Sequence, residues 1–231
     1  MLHDLDKTKW RDSLISLDWK RDDIKRLLGF RISRSISRDA EILRFEKAWS
    51  QVFTSDPMGY GTRQRKSISQ FDFIAKATHM RPRDFIFYIR ECARSAVQQG
   101  HRTITSDTIK NADKEFSIYF KEELTGEIES IIPDVGQVFD LLSEKREGVV
   151  SYNELKELFD DGCQRNIFGK EIVDLGFETI LRILFQFSVV GNKAKQTSRD
   201  PIFKYNNRGL VLSRKEQIMI HRGLLKSLGI V

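Results

Sequence analysis

The heptapeptide His79-Met80-Arg81-Pro82-Arg83-Asp84-Phe85 opens an apolar-periodic segment that ends at Gly100. Proline is favoured in the first turn of a helix, because the N–H group that it lacks would have no partner inside the helix there. Pro82 therefore predicts a helix start. Arg83 then falls in the first turn, from which its side chain can reach an anion. Apolar residues recur at roughly helical spacing, which predicts one buried face: Ile86, Ile89, Ala93, Ala96 and Val97.

Helical periodicity continues on both sides of this segment. Before Pro133 it predicts five helices, at residues 20–35, 39–53, 67–78, 82–99 and 106–131. The turn residues Asp56-Pro57-Met58-Gly59 predict a loop over residues 54–66. We therefore expect this half to be almost entirely helical, with short strands only after Pro133.

After Pro133 the pattern changes to three helices with short extended pieces. Helices are predicted at 135–145, after the Ser151-Tyr152-Asn153-Glu154 capping box, and at 175–187. A brief extended piece is expected at 149–150, and strands at 188–191 and 201–205 flank a polar loop. A helix-turn-helix followed by a hairpin is the winged-helix arrangement. The chain is predicted to hold a helical domain, residues 1–132, and a winged-helix domain, residues 133–231.

The opening segment resembles the sensor-2 region of AAA+ ATPases, where an arginine at the start of a lid helix reaches the terminal phosphate of the nucleotide. In Met80-Arg81-Pro82-Arg83, Arg83 takes the position of the sensor arginine, with Arg81 beside it. The preceding Leu17-Asp18-Trp19 helix and the later segment from Ile104 to Ile109 are similar to the lid of bacterial P-loop ATPases from defence-type loci. Residues 218–230 are similar to the chain end of those ATPases, which closes a winged helix.

This resemblance implies a mainly α fold, in which an AAA+ lid-like helical bundle precedes a winged-helix domain with a small β-hairpin wing. It also implies nucleotide sensing by Arg83 and Arg81. An upstream or partner P-loop ATPase domain is the implied partner, and antiviral defence is the implied setting.

The chain departs from that family in lacking both Walker motifs. No G-x-x-x-x-G-K-[ST] occurs, and the only Gly-Lys pair, Gly169-Lys170, has Gln164 at the position of the first glycine and Glu171 after the lysine. No apolar strand ends in paired carboxylates to form Walker B. Without the phosphate loop there is no backbone cradle for the nucleotide and no hydroxyl for magnesium. We therefore predict no ATP hydrolysis and no cofactor for the isolated chain, with ATP bound only in a complete ATPase.

The positive charge is unevenly distributed. The net charge is +6, and residues 1–125 carry 24 Lys+Arg against 18 Asp+Glu, whereas the remaining residues carry 15 of each. Two basic patches stand out in the first half, one at Arg63, Arg65 and Lys66 and one at Arg31, Arg34 and Arg38. Basic patches attract polyanions, either nucleotide phosphates or a nucleic-acid backbone. A solvated surface without a ligand is the alternative.

DNA contact through phosphates is a further prediction. The predicted third helix of the winged-helix domain has a narrow polar stripe, Glu178, Arg182 and Gln186, so we do not expect it to read bases. The predicted wing can contact phosphates without specifying sequence. The candidate nucleic-acid contacts are Lys193, Lys195, Arg199, Arg63, Arg65 and Lys66.

The sequence contains no pattern typical of a metal site, a signal peptide or a membrane span. The four histidines are scattered, Cys92 and Cys163 are far apart, and no metal-ligand spacing occurs, so no metal site is predicted. Met1–Trp10 is charged, no run approaches eighteen apolar residues, and two cysteines suit a reducing compartment. We expect a soluble, cytoplasmic protein.

Three functions fit these observations. The chain can be the regulatory C-terminal region of an AAA+-like ATPase, supplying a sensor-type arginine and a winged-helix docking module. It can instead be a stand-alone winged-helix DNA-binding protein, or a non-enzymatic adaptor that docks other proteins. Salt-dependent binding to duplex DNA would favour the second function. Each of the three is compatible with an oligomer.

Overall fold

A computed structural model describes residues 18–39, 41–60, 66–194 and 200–230. Within these ranges the chain is mainly helical, with eight α-helices and two small antiparallel sheets. The first half contains α1 (Arg21–Ile36), α2 (Phe45–Val52), β1 (Met58–Tyr60), β2 (Lys66–Ile68), α3 (Gln70–Ala75), α4 (Pro82–Gln98) and α5 (Ser106–Ile128). The second half contains α6 (Gly136–Glu144), β3 (Val149–Val150), α7 (Tyr152–Gln164), α8 (Lys170–Gln186), β4 (Val190–Lys193), β5 (Gln217–Ile220) and a 3₁₀ helix (Arg222–Leu224).

The predicted helix starts hold where local capping signals exist. Pro82 is the first residue of α4, and Arg81 is its N-cap. Ser151 caps α7, because its hydroxyl accepts from the Glu154 N–H while the Glu154 carboxylate accepts from the Ser151 N–H. In contrast, α2 begins at Phe45 rather than at residue 39. The segment before it is extended, and the Leu43 N–H donates to the Ser33 hydroxyl of α1 instead of joining a helix.

Short strands also occur before Pro133, at residues 58–60 and 66–68, so the prediction that strands follow only after Pro133 is wrong. Strand β1 pairs antiparallel with β2, with Met58 opposite Ile68 and Tyr60 opposite Lys66. Met58 is completely buried, whereas Lys66 is exposed. Pro57 and Gly59 predicted a loop here, whereas the structure has two short paired strands, the first of which contains the buried Met58.

The three-stranded sheet of the second half has the order β3-β5-β4, and both pairings are antiparallel. Its central strand, Gln217–Ile220, was missed in the sequence, where a strand was predicted at 201–205 instead. In that segment Ile202 forms only an isolated bridge with Asn192. A Cβ atom at Gly191 would lie 2.6 Å from the Ile202 carbonyl oxygen, so the chain crosses close over β4 without forming a second long strand.

The helix predicted at residues 175–187, the third of the second half, begins earlier than expected. It starts at Lys170, and Gly176 interrupts it with a φ of 71°, so α8 consists of two helical pieces. The longer piece after Gly176 carries the buried residues Phe177, Ile180, Leu181, Leu184 and Phe185.

Buried apolar side chains form one cluster that continues across Pro133, the boundary predicted from the sequence. The segment after β5 returns to the first half, where the Arg222 guanidinium lies 3.9 Å from the centre of the Phe73 ring. Arg222 Nη2 is 3.1 Å from Asp113 Oδ2, and the Ser227 N–H donates to the Ser117 hydroxyl at 2.8 Å. We call Arg222, Gly223 and Ser227 the C-terminal clamp. Among the described helices, none is long and apolar enough to cross a membrane.

Candidate functional site

The start of α4 brings two arginines next to three carboxylates. Arg81 Nη1 and Arg83 Nη2 each lie 2.6 Å from Glu127 Oε1, so the two guanidinium groups share one carboxylate. Arg83 Nη1 is also 2.7 Å from Glu123 Oε2. Glu123 and Glu127 are four residues apart on α5, which places both on the helix face that lies beside Arg83. Sequence reasoning missed these two partners.

Arg81 and Asp84 anchor the helix start. Asp84 is fully buried and accepts from the His79 N–H at 3.1 Å and from Arg81 Nε at 3.2 Å. Burial raises the pKa of the Asp84 carboxyl, against the opposing effect of Arg81. Burial disfavours the charge of Arg81 as well, but Asp84 and Glu127 raise the pKa of its guanidinium above the usual value. Arg81 is thus fixed by contacts on both sides.

Arg83 differs from Arg81 in its exposure. We expected its guanidinium to face solvent or a cleft, without a lasting pair to a buried carboxylate. The side chain is half exposed, its Nε atom is 3.9 Å from buried Asp84, and its short contacts are to the partly exposed Glu123 and Glu127. Exposed ion pairs contribute about 0–1 kcal/mol. Arg83 can therefore exchange these partners at little cost in free energy.

Two histidines meet just behind this arginine cluster. The rings of His79 and His221 have centroids 4.7 Å apart, and Phe120 and Tyr205 pack against them. His79 Nε2 lies 3.3 Å from the Ser188 carbonyl oxygen, while His221 Nδ1 accepts from the Gly223 N–H at 3.1 Å. Burial, reinforced by Arg81, lowers the pKa of His79 to about 3 and lowers the pKa of His221 well below its usual value.

The histidine pair joins elements that are far apart in sequence. His221 caps the 3₁₀ helix. His79 connects the turn before α4 to the segment between α8 and β4. In the part of the chain that the structure describes, no group of three or more His, Cys, Asp or Glu side chains is placed to hold a metal ion.

The candidate nucleic-acid residues are only partly described. Lys66 is exposed on β2, and Lys193 is partly buried at the end of β4. Arg63, Arg65, Lys195 and Arg199 lie outside the described residues. On α8, Arg182 and Gln186 are exposed.

The third polar residue of the α8 stripe is held by its neighbours. Glu178 accepts from Arg214 Nη2 at 2.6 Å and from the Tyr152 hydroxyl. Residues 210–214 thus fold back toward α8 and, with it, line a groove of about 320 Å³. Part of the face that would approach DNA is therefore occupied by the chain itself.

Comparison with known proteins gives one match. No curated protein and no solved structure is significantly similar to the chain. Residues 22–125 match the family model of the FunZ-associated C-terminal helical domain. This region extends from α1 nearly to the end of α5 and includes Arg81, Arg83, Glu123 and His79. The description of the family gives a helical architecture and a C-terminal position within a larger protein, in agreement with the helices observed here.

Proposed function

We propose that this chain is the regulatory, accessory region of an AAA+-like ATPase whose phosphate loop lies in an upstream or partner domain. In this proposal the first half is lid-like, and Arg83 contacts the terminal phosphate of a nucleotide held by that other domain. The match of residues 22–125 to a C-terminal helical domain supports an accessory role. The chain has no Walker A sequence of its own, so hydrolysis would require the partner.

The observation that carries this proposal is the contrast between the two arginines. Arg81, Asp84 and His79 hold the helix start in place, while Arg83 remains half exposed and makes its short contacts to the partly exposed Glu123 and Glu127. A phosphate accepts charge-assisted, bidentate hydrogen bonds from arginine as a carboxylate does, and it carries more charge at neutral pH. Arg83 can thus leave Glu123 and Glu127 for a phosphate without any change in the buried core.

The test is ATP turnover by the larger ATPase that carries this region. We expect Arg83→Ala to lower kcat by about tenfold or more, because the contact with phosphate would strengthen in the transition state. The melting temperature should stay nearly unchanged, because the residue is exposed. Arg94→Ala on the same helix is the control, since Arg94 is also exposed and paired with a glutamate, Glu91. Loss of folding with full activity per folded molecule would instead assign Arg83 a structural role.

The isolated chain provides a second measurement. We expect no ATP turnover and only weak ATP affinity, because one arginine without a phosphate cradle supplies a small part of the binding free energy. Sustained turnover that survives further purification would contradict the proposal.

For the second half we propose a winged-helix module. The chain order α6, β3, α7, α8, β4, β5 and the sheet order β3-β5-β4 support it, with β4 and β5 as the strands of the hairpin wing. We favour docking on protein, because Glu178 is engaged and residues 210–214 cover part of α8. Duplex DNA binding is the second candidate, favoured by exposed Arg182 and Gln186. If it holds, Arg182→Gln should weaken duplex binding, with a smaller effect at high salt.

A further inference from the structure

The outward face of α1 combines arginines with an exposed aromatic ring. Arg26, Phe30 and Arg34 follow one another at intervals of four residues, which places them on one side of the helix. Phe30 is 45% exposed, and the Arg34 guanidinium carbon lies 5.8 Å from the centre of its ring. Arg31 on the same helix and Arg38, two residues beyond its end, are exposed as well. This face therefore presents cations and a flat apolar surface together, and we call it the α1 face.

The opposite side of α1 holds the helix rigidly. Ile24 and Leu28 are buried in the core. A Cβ atom at Gly29 would lie 3.2 Å from the Leu43 carbonyl oxygen, so the segment before α2 packs directly on the helix backbone. The Ser33 hydroxyl donates to the Gly29 carbonyl at 2.8 Å and accepts from the Leu43 N–H at 3.0 Å. A ligand on the α1 face thus meets side chains on a fixed support.

Arg26 of the α1 face pairs with Asp23, but three other arginines remain available to a ligand. Among residues 18–39, 41–60, 66–194 and 200–230, no carboxylate forms an ion pair with Arg31, Arg34 or Arg38. Arg34 donates instead to the Arg38 carbonyl oxygen at the end of the helix. Arg83, by comparison, is neutralised by two glutamates. Clustered cations without counter-charges attract polyanions.

We propose that the α1 face binds single-stranded nucleic acid, with phosphates on Arg31, Arg34 and Arg38 and a base stacked near Phe30. An unpaired strand offers phosphates and open base faces at once, and binding sites for such strands combine basic surfaces with aromatic rings. In a duplex the base faces are covered by neighbouring bases, so Phe30 would gain no stacking partner. This binding is independent of the proposed ATPase role, because it uses neither Arg83 nor a nucleotide pocket.

The test is fluorescence anisotropy of the whole chain with a labelled oligothymidylate of about 20 nucleotides. Arg31→Gln/Arg34→Gln should weaken binding about tenfold or more and reduce the slope of log K against log salt by about 1.4, from roughly 0.7 for each lost phosphate contact. Phe30→Leu should weaken binding about fivefold or more without changing that slope, because it keeps the charge and removes the ring. Arg102→Gln/Arg146→Gln, at two exposed arginines elsewhere, is the matched control and should change affinity less than about twofold.

Three results would overturn the proposal. One is an equal loss of affinity in the control variant, which would show that binding depends on the net charge of the protein and not on the α1 face. Another is a duplex of the same length that binds as tightly as the single strand, together with no effect of Phe30→Leu. The last is binding to phosphatidylserine vesicles without binding to the oligonucleotide, which would assign the α1 face to an anionic membrane surface. Melting temperatures of all variants confirm that folded protein is compared.

Discussion

His79 and His221 are two imidazoles held neutral where the turn before α4 meets the end of the chain. Burial lowers the pKa of both rings, and nearby positive charge acts in the same direction, from Arg81 on His79 and from His79 and Arg222 on His221. A proton on either ring would therefore be unfavourable in the folded protein. The two rings pack against Phe120 and Tyr205.

The pH dependence of stability follows from these lowered pKa values. Histidine titrates near 6.5 in the unfolded chain, whereas folded His79 titrates at about 3. Because the folded pKa is the lower one, the stabilising contribution is complete above pH 6.5 and is lost as the pH falls toward 3. We expect His79 to lower the free energy of unfolding by about 1.4 kcal/mol for each pH unit between 6.5 and 3, and His221, whose pKa is also lowered, to make the loss steeper. Urea denaturation at about pH 7.5 and about pH 5 measures it.

Two variants separate this effect from general acid sensitivity. His221→Gln should flatten the pH dependence, because one of the two titrating groups is removed. His101→Gln should leave it unchanged, since His101 is exposed. An equally steep loss of stability in both variants would show that carboxylates, not the histidine pair, cause the loss.

At the scale of elements, α5 and α8 contain glycines with opposite roles. Gly126 lies inside α5, and no atom lies within 4 Å of a Cβ placed there. A Cβ atom placed at Gly176 would also contact no atom, but residues other than glycine rarely adopt its φ of 71°.

The same substitution should therefore change stability in opposite directions. Gly126→Ala should stabilise the protein by about 0.5–1 kcal/mol, because alanine loses less backbone entropy in a helix. Gly176→Ala should destabilise it by about 1–3 kcal/mol, because a φ of 71° with a ψ of 160° lies in a region that is essentially restricted to glycine. Thermal unfolding of both variants beside the unmodified chain checks the signs. A stabilising Gly176→Ala would mean that α8 can straighten into a continuous helix.

At the scale of the whole molecule, the C-terminal clamp joins the two halves. The Arg222 side chain is about nine-tenths buried and pairs with Asp113, which also accepts from the Tyr88 hydroxyl at 2.7 Å. A Cβ atom at Gly223 would lie 2.2 Å from the Ala77 carbonyl oxygen, so only glycine allows this close approach. The region that matches the FunZ-associated family model is thus packed against residues that follow it by about 100 positions.

Arg222→Ala should cost about 3–5 kcal/mol of unfolding free energy, because it leaves Asp113 buried without its cation. Arg165→Ala is the control, since Arg165 forms comparable ion pairs with Glu144 and Asp161 at the surface. It should cost less than about 1 kcal/mol. Chemical denaturation of both variants provides the comparison. A similar, small loss in both would show that the clamp does not couple the two halves.

Helix starts could be predicted from the sequence because their determinants are local. Pro82 and the Ser151–Glu154 capping box act within one turn of chain, and both begin helices as predicted. The absence of strands before Pro133 was a wrong prediction, because the pairing of β1 with β2, in which Met58 is buried, is a contact between separate segments that periodicity does not reveal. Strand β5 was missed because four residues carry too little periodicity to distinguish a strand from a loop.

The candidate site likewise has one feature that the sequence predicts and several that depend on the fold. The position of Arg83 in the first turn of a helix follows from the adjacent proline and required no knowledge of the fold. Its partners Glu123 and Glu127, the contact between His79 and His221, and the insertion of Arg222 beside Asp113 all join residues more than thirty positions apart. Capping and periodicity act over a few residues and can be read along the chain. Ion pairs and burial between distant segments arise only after helices pack, because packing alone determines which faces meet.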